Sequence, residues 1–310
     1  MASAHPHIGI DLGGTKIEII ALNDTGDTLY RQRVATPKGS SPDDQYHNIL
    51  IAIRQLVDNC EQQIGSSATS LGIGIPGAVS LTTGKVKNAN TTCLIGKAFE
   101  QDLSNALNKT VIIENDANCF ALSEAIDGAG RGATCVFGVI LGTGVGGAMV
   151  LREQLWIGEN AIAGEWGHNP LPWPTNQDEP KLECYCGKQG CIETYLSGPG
   201  NQRWQNQFFG QHRHSKDWFE FPHLEPATKQ AYDLYVDRLA RSLAHIINTL
   251  DPNVIVLGGG LSNIDSLYID VPEHWGNYVF SDTVTTQLKQ NEFGDSSGVR
   301  GAAWLTKSAR

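Results

Sequence analysis

Apolar and polar positions alternate along the 310-residue chain in blocks that predict a mixed α/β protein. An apolar run at 8–10 leads into a glycine turn, and a second run at 17–22 leaves it, which predicts a hairpin. Ile49, Ile53, Leu56 and Val57 fall at helical spacing and predict a helix over 48–60. Residues 71–75 read as a strand halted by Pro76-Gly77. Residues 111–113 read as another strand, ending in Glu114-Asn115-Asp116, with a helix following over 117–129.

A second start follows. Residues 135–141 predict a strand, 142–147 a glycine turn and 148–151 a strand, repeating the plan of the first 22 residues and suggesting two related halves. Residues 166–226, rich in Pro, Trp, Cys and His, read as irregular loops. The best helix is 229–250, where Tyr235, Leu239, Leu243, Ile246, Ile247 and Leu250 share one face before Asp251-Pro252 ends it. A strand at 253–257 feeds Gly258-Gly259-Gly260, and 300–306 closes the chain as a short helix. The length is about that of two domains. The expected division is 1–117 plus roughly 300–310, against 118–299.

Composition narrows the function classes. Hydrophobic residues make up 40% and charged residues 18%, which excludes a wholly disordered chain. With 23 basic and 33 acidic residues the formal charge is −10, the wrong sign for a general nucleic-acid binder. The uncharged run 132–151 is long enough to span a membrane, but its six glycines and two threonines read as strands around a turn. Residues 1–7 lack the charged start and apolar stretch of a signal peptide. Three of the seven cysteines crowd between Cys184 and Cys191, suggesting a metal site in a reducing, cytoplasmic setting.

Four motifs carry candidate chemistry. In Asp11-Leu12-Gly13-Gly14-Thr15-Lys16 the glycines allow backbone N–H groups to approach a phosphate, and Asp11 is placed to hold Mg²⁺ through water. It is not a Walker A loop: Gly9 and Gly14 have the spacing, but Thr15 stands where the lysine belongs. Gly142-Thr143-Gly144-Val145-Gly146-Gly147 fits a dinucleotide fingerprint, yet a strand follows it instead of a helix. Two such hairpins suggest a phosphate chain clamped between halves. Asn115-Asp116, between a strand and a helix, reads either as a helix cap or as a base that takes a proton from a substrate hydroxyl. His168 with Cys184, Cys186 and Cys191 makes a tetrahedral, four-ligand zinc set, closed and therefore structural. Glu165 and Glu193 flank these ligands as candidate acceptors for substrate hydroxyls, or as solvated surface carboxylates. Gly258 to Gly260 suit either a close approach to a flat group such as adenine or a bare turn. The pairs His5/His7 and His212/His214 read as surface histidines.

Taken together, these motifs resemble the ROK sugar kinases, within the wider actin and hexokinase-like (ribonuclease H-like) fold. The most specific likeness is Gly164-Glu165-Trp166-Gly167-His168 followed by the run from Cys184 through Cys191 to Glu193. Val86-Lys87-Asn88-Ala89-Asn90 and Gly167-His168-Asn169-Pro170-Leu171-Pro172-Trp173 look most like bacterial fructokinases and manno(fructo)kinases.

The resemblance implies a two-domain α/β enzyme with a catalytic cleft and a zinc-binding loop. It would phosphorylate the 6-hydroxyl of D-fructose, or alternatively of N-acetylglucosamine, mannose or glucose. Asp116 would be the base; Gly77, Asn90, Asn115, Asp116, Glu165, His168 and Glu193 would bind the sugar. ATP phosphates and Mg²⁺ would sit at Gly9, Asp11, Gly13, Gly14, Thr15 and Lys16 and at Gly142, Thr143, Gly144, Gly146 and Gly147. Gly258, Gly259 and Gly260 would lie near the adenosine. A homodimer is implied, with no nucleic-acid or membrane partner. The family's transcriptional regulators carry a DNA-binding module ahead of the first phosphate motif, where this chain has ten residues before Asp11. The aromatic-rich segment 201–226 matches no motif of the family.

Overall fold

Each of the two glycine hairpins seeds a five-stranded sheet. A computed structural model describes residues 6–219 and 225–308; His5, residues 220–224 of the aromatic-rich segment and residues 309–310 lie outside it. The first half comprises β1 (His7–Leu12), β2 (Lys16–Leu22), β3 (Thr28–Ala35), α1 (Pro42–Ile64) and β4 (Ser70–Ile75). It continues with the short flap strands β5 (Ala78–Val79) and β6 (Val86–Lys87), then α2 (Phe99–Leu107) and β7 (Thr110–Asn115). After α3 (Asp116–Ile126), the second half brings β8 (Cys135–Leu141), β9 (Val145–Leu151), β10 (Gln154–Trp156), α4 (Glu193–Leu196), α5 (Gly198–Phe209) and α6 (Pro226–Leu250). It closes with β11 (Val254–Gly258), α7 (Leu267–Trp275), β12 (Gln287–Gln290) and α8 (Ser297–Ser308).

The sheets share one plan. Their orders are β3-β2-β1-β4-β7 and β10-β9-β8-β11-β12. In each, the first three strands run antiparallel and the last two join parallel to the first. The repeat seen in the two hairpins therefore extends across both whole sheets.

Helices α3 and α8 fill the space between the sheets. From Ala117 to Ile126 every residue of α3 is buried, Asn118, Ser123 and Glu124 included. Its core joins Cys119, Phe120 and Leu122 to Ile20 and Leu22 of the first sheet and to Val136, Val150 and Val256 of the second. Small residues let α8 lie close: a Cβ at Gly9 or Gly72 would overlap its backbone at Ala303 or Ala302, and one at Gly301 would overlap the Cys119 carbonyl. Separate cores cover the outer faces, Ile49, Ile53 and Leu56 of α1 on the first sheet and Leu239, Leu243 and Ile247 of α6 on the second.

Several expectations change. Residues 166–226 are not uniformly irregular, since α4, α5 and the start of α6 lie there. Ser197 caps α5 by accepting from Gly200 N, and Pro199 sits in its first turn, so a polar helix forms without a clear apolar stripe. The turn read at 142–147 shortens to 142–144 because β9 already begins at Val145. His7 is buried in β1, its Nδ1 2.7 Å from Thr306 Oγ1, and is not a surface histidine. His212 and His214 are exposed.

Candidate active site

The parallel strands β1, β4 and β7 end on one edge of the first sheet, where ligands of α/β proteins gather. Asp11 lies opposite Gly74, Gly74 opposite Glu114, and Ile75 opposite Asn115. Asp116 follows as the first residue of α3. The two readings of Asn115-Asp116 divide between the residues. Asn115 is the cap, its side chain accepting from Asn118 N at 2.6 Å. Asp116 is thereby released: its Oδ1 accepts from Ala117 N at 2.9 Å while the side chain remains open to solvent.

The two aspartates are electrostatically linked. Burial raises Asp11 to about 6, and the charge of Asp116 adds to the shift while Lys16 opposes it. Asp116 reaches solvent yet is crowded by protein on its other sides, and this desolvation raises its pKa. Amide hydrogen bonds from Ala117 and from Asp116 itself pull it back in part, and Glu165 pushes it up again. Glu165 is exposed and close enough for its charge to act on Asp116.

The second turn meets the same helix. A Cβ at Gly146 would stand 3.3 Å from the Ala117 methyl, so the start of α3 packs against β9. Asp116 thus stands beside the second hairpin while acting on Asp11 at the first. Gly14 and Thr15 are exposed at the first turn and Thr143 at the second. Three predicted glycines are buried against other protein atoms. Gly9 is pressed on α8, Gly147 on the Trp166 ring and Gly258 on the Phe120 ring, so close packing within the protein explains the missing side chain. Gly259 has φ +83° and a Cβ there would overlap the Leu141 carbonyl, although the residue is exposed; a Cβ at the exposed Gly260 would meet nothing within 4 Å.

Gly77 and Asn90 frame the β5–β6 flap beyond the end of β4. Gly77 packs on Ala89, and Asn90 N donates to Pro76 O at 2.9 Å, leaving its side chain exposed. The next residue, Thr91, went unnoticed in the sequence; its buried hydroxyl lies 3.9 Å from where a Cβ of Gly14 would be, joining flap to first turn. Gly298, at the start of α8, packs at 3.8 Å from the Asp11 carboxyl carbon by the same measure.

His168, Cys184, Cys186 and Cys191 come together, with one ligand atom of each within 4.8 Å of the others. A tetrahedral ion with bonds of about 2.3 Å spaces sulfur ligands roughly 3.8 Å apart. The Cys186 and Cys191 sulfurs are 3.6 Å apart, and Cys184 Sγ is 3.5 Å from His168 Nδ1, so the donor set has the dimensions of such a site. His168 Nε2 is 2.9 Å from the Tyr185 hydroxyl, which orients the ring. Glu193, the first residue of α4, accepts from Val145 N at 3.0 Å through Oε2.

The chain matches the ROK family over residues 7–309. It is 38% identical over 304 residues to the N-acetyl-D-glucosamine kinase of Vibrio cholerae serotype O1, covering 96% of this chain and 99% of that protein. It is 37% identical over 303 residues to the N-acetylgalactosamine kinase of Shewanella sp. (strain ANA-3), covering 96% of each. Its structure superposes on that of the ROK hexokinase from Thermus thermophilus with a TM-score of 0.85 and 26% identity, covering 98% of this chain and 99% of that one. No helix among the described residues is long and apolar enough to cross a membrane. A hexokinase-like α/β fold, a match along almost the whole sequence and kinase relatives aligned end to end make this chain a sugar kinase of the ROK family.

Proposed function

We propose that the enzyme transfers the γ-phosphoryl group of ATP to the 6-hydroxyl of a hexose, with D-fructose as preferred acceptor, giving fructose 6-phosphate and ADP. The observation that carries the transfer step is the placement of Asp116, exposed to solvent, beside the second glycine turn and acting on Asp11 at the first. Its carboxylate takes the hydroxyl proton as the oxygen attacks phosphorus in line. Asn115, Glu165, His168, Glu193, Gly77 and Asn90 are the sugar-binding set of this reading. The turns at Gly13–Lys16 and Gly142–Gly146 hold the phosphates, Gly259 and Gly260 pass the adenosine, and Asp11 holds Mg²⁺ through water. Gly9, Gly147 and Gly258 are left out because each is buried against other protein atoms. The Cys–His cluster holds a structural zinc ion.

Fructose rests on the segments 86–90 and 167–173. The second reading, an N-acetylhexosamine kinase on the same machinery, is favoured by what the relatives at 37 and 38% identity are named for. Mannose and glucose complete the alternatives. Hexoses that differ at one position are separated by pocket geometry. A coupled ADP-release assay across fructose, mannose, glucose and N-acetylglucosamine is expected to rank fructose first by kcat/KM; N-acetylglucosamine or glucose ahead of it would defeat that choice.

Two further outcomes follow from the site. A base must be ionised, so activity falls as pH drops through its pKa. With Asp116 raised, the acid limb of kcat/KM is expected above the ordinary aspartate value of about 3.9, and a limb at or below that value would contradict the burial argument. Elemental analysis is expected to find one zinc per chain, and Cys191→Ser to lose it; fully active metal-free protein would refute a structural zinc.

A further inference from the structure

The Cys–His cluster stands apart from both glycine turns in sequence, yet both of its arms end on the second one. Glu193 lies two residues past Cys191. Its Oε2 accepts from Val145 N at 3.0 Å, and a Cβ at Gly144 would come within 2.8 Å of the same oxygen. Its Oε1 lies 4.0 Å from Cys184 Sγ, so one carboxylate spans from the cluster to the turn. Trp166 lies two residues before His168. Its buried indole Nε1 donates to Gly146 O at 3.0 Å, and its ring covers Gly147. Gly167 presses its backbone on the Val145 carbonyl so closely that a side chain there would overlap it. Beyond α4, Gly198 N donates to Gly142 O at 2.8 Å.

We propose that the Cys–His cluster is a positioning device for the second glycine turn, with Glu193 and Trp166 as its two struts. Beyond the pairing of Val145 with Leu141 and of Gly146 with Ile140 on β8, one hydrogen bond, Gly142 N to Gly144 O at 3.0 Å, closes the turn. From outside the hairpin it is held by the two arms and by Gly198 N. Drawing His168, Cys184, Cys186 and Cys191 onto one ion fixes both arms relative to each other, and through them the direction of the amides at the turn. An anion site made of backbone N–H groups binds well only when those groups are already aimed. Loading the cluster therefore tightens nucleotide binding, in addition to ordering the sugar side. The nucleotide part rests on the kinase reading above.

The test compares zinc-loaded and chelator-stripped full-length protein, and the variants Trp166→Phe, Glu193→Ala and Glu193→Gln. Two readouts are needed: amide hydrogen exchange over 142–146, and calorimetric Kd values for a non-hydrolysable ATP analogue and for hexose. Stripping zinc is expected to speed exchange at Val145 and Gly146. Trp166→Phe keeps the ring and loses the indole donor, so it is expected to weaken nucleotide binding severalfold while hexose Kd holds within about twofold. Glu193→Ala is expected to weaken nucleotide binding about tenfold, and Glu193→Gln, which keeps an acceptor for Val145 N, to recover most of it. Exchange indifferent to zinc, with nucleotide Kd unchanged in both Trp166→Phe and Glu193→Ala, would overturn the proposal. Wild-type protein that bound no nucleotide would instead overturn the kinase reading, and the metal dependence of exchange would still decide the coupling.

Discussion

Asp116→Asn is expected to lower kcat by a factor of about 10² to 10⁴, the usual contribution of a general base, while hexose Kd stays near wild type. The substitution is close to isosteric. Its amide oxygen can still accept from Ala117 N, as Oδ1 does at 2.9 Å, and the start of α3 keeps its Asn115 cap. What disappears is the ability to take a proton. The effect thus separates chemistry from structure, and turnover measured by ADP release beside hexose Kd by calorimetry reads both. Near-normal turnover would remove Asp116 from the mechanism.

Asp178→Ala is expected to cost about 3–5 kcal/mol of stability, the range for removing one partner of a buried ion pair. Asp178 is 1% exposed, Arg238 0% and Arg241 1%. Arg238 Nε donates to Asp178 Oδ1 at 2.8 Å, and Arg241 reaches both carboxylate oxygens at 3.1 Å. Without the carboxylate, two guanidinium groups on α6 stay buried with their main acceptor gone. Burial alone would raise the Asp178 pKa, but the bonds from Arg241, Thr175 N and Arg238 outweigh it and the net shift is downward. A depressed carboxylate stabilises the fold above its unfolded pKa, and that share is lost as pH falls through the lower folded value. Urea unfolding near neutral pH measures the cost; a loss under about 1 kcal/mol would show that Arg241's bonds to the carbonyls of Pro172 and Trp173 carry the network instead. Since 172–178 leads into the cysteine cluster, the variant also loosens the loop that presents Cys184.

Much of the architecture was legible where a segment's local pattern agreed with its final surroundings. The runs around Asp11 and Gly142 read as hairpins because both strands of each are apolar and the glycines punctuate them. Helix α6 read clearly because 25 residues carry one apolar face. β3 was silent because Arg31-Gln32-Arg33 splits its apolar residues, Leu29, Tyr30, Val34 and Ala35, and its burial only alternates between exposed and partial. β12 is four residues with polar ends, and α7 has Pro272 inside it. α5 left a usable signal, Ser197-Gly198-Pro199 at its start and Trp204 and Phe208 one turn apart, hidden among polar residues.

In the site, the cysteine spacing and Asn115-Asp116 pointed to residues that the structure brings together. The glycine count was harder to read. Glycine serves both where backbone must face a ligand and where other protein atoms must pack directly on the backbone, and Gly9, Gly147 and Gly258 are of the second kind. No sequence pattern foretold that Glu193 would meet Val145 N, 48 residues away, because that contact depends on how α4 is set against β9.

In the proposed reaction one carboxylate serves a single cleft flanked by two phosphate-holding turns. A crystal structure of the enzyme with hexose and a non-hydrolysable ATP analogue tests it most directly. The sugar's primary hydroxyl should lie about 3 Å from the Asp116 carboxylate, with the terminal phosphate between the turns at Gly14 and Thr143. A nucleotide bound elsewhere, or a hydroxyl out of reach of Asp116 in the closed complex, would contradict it.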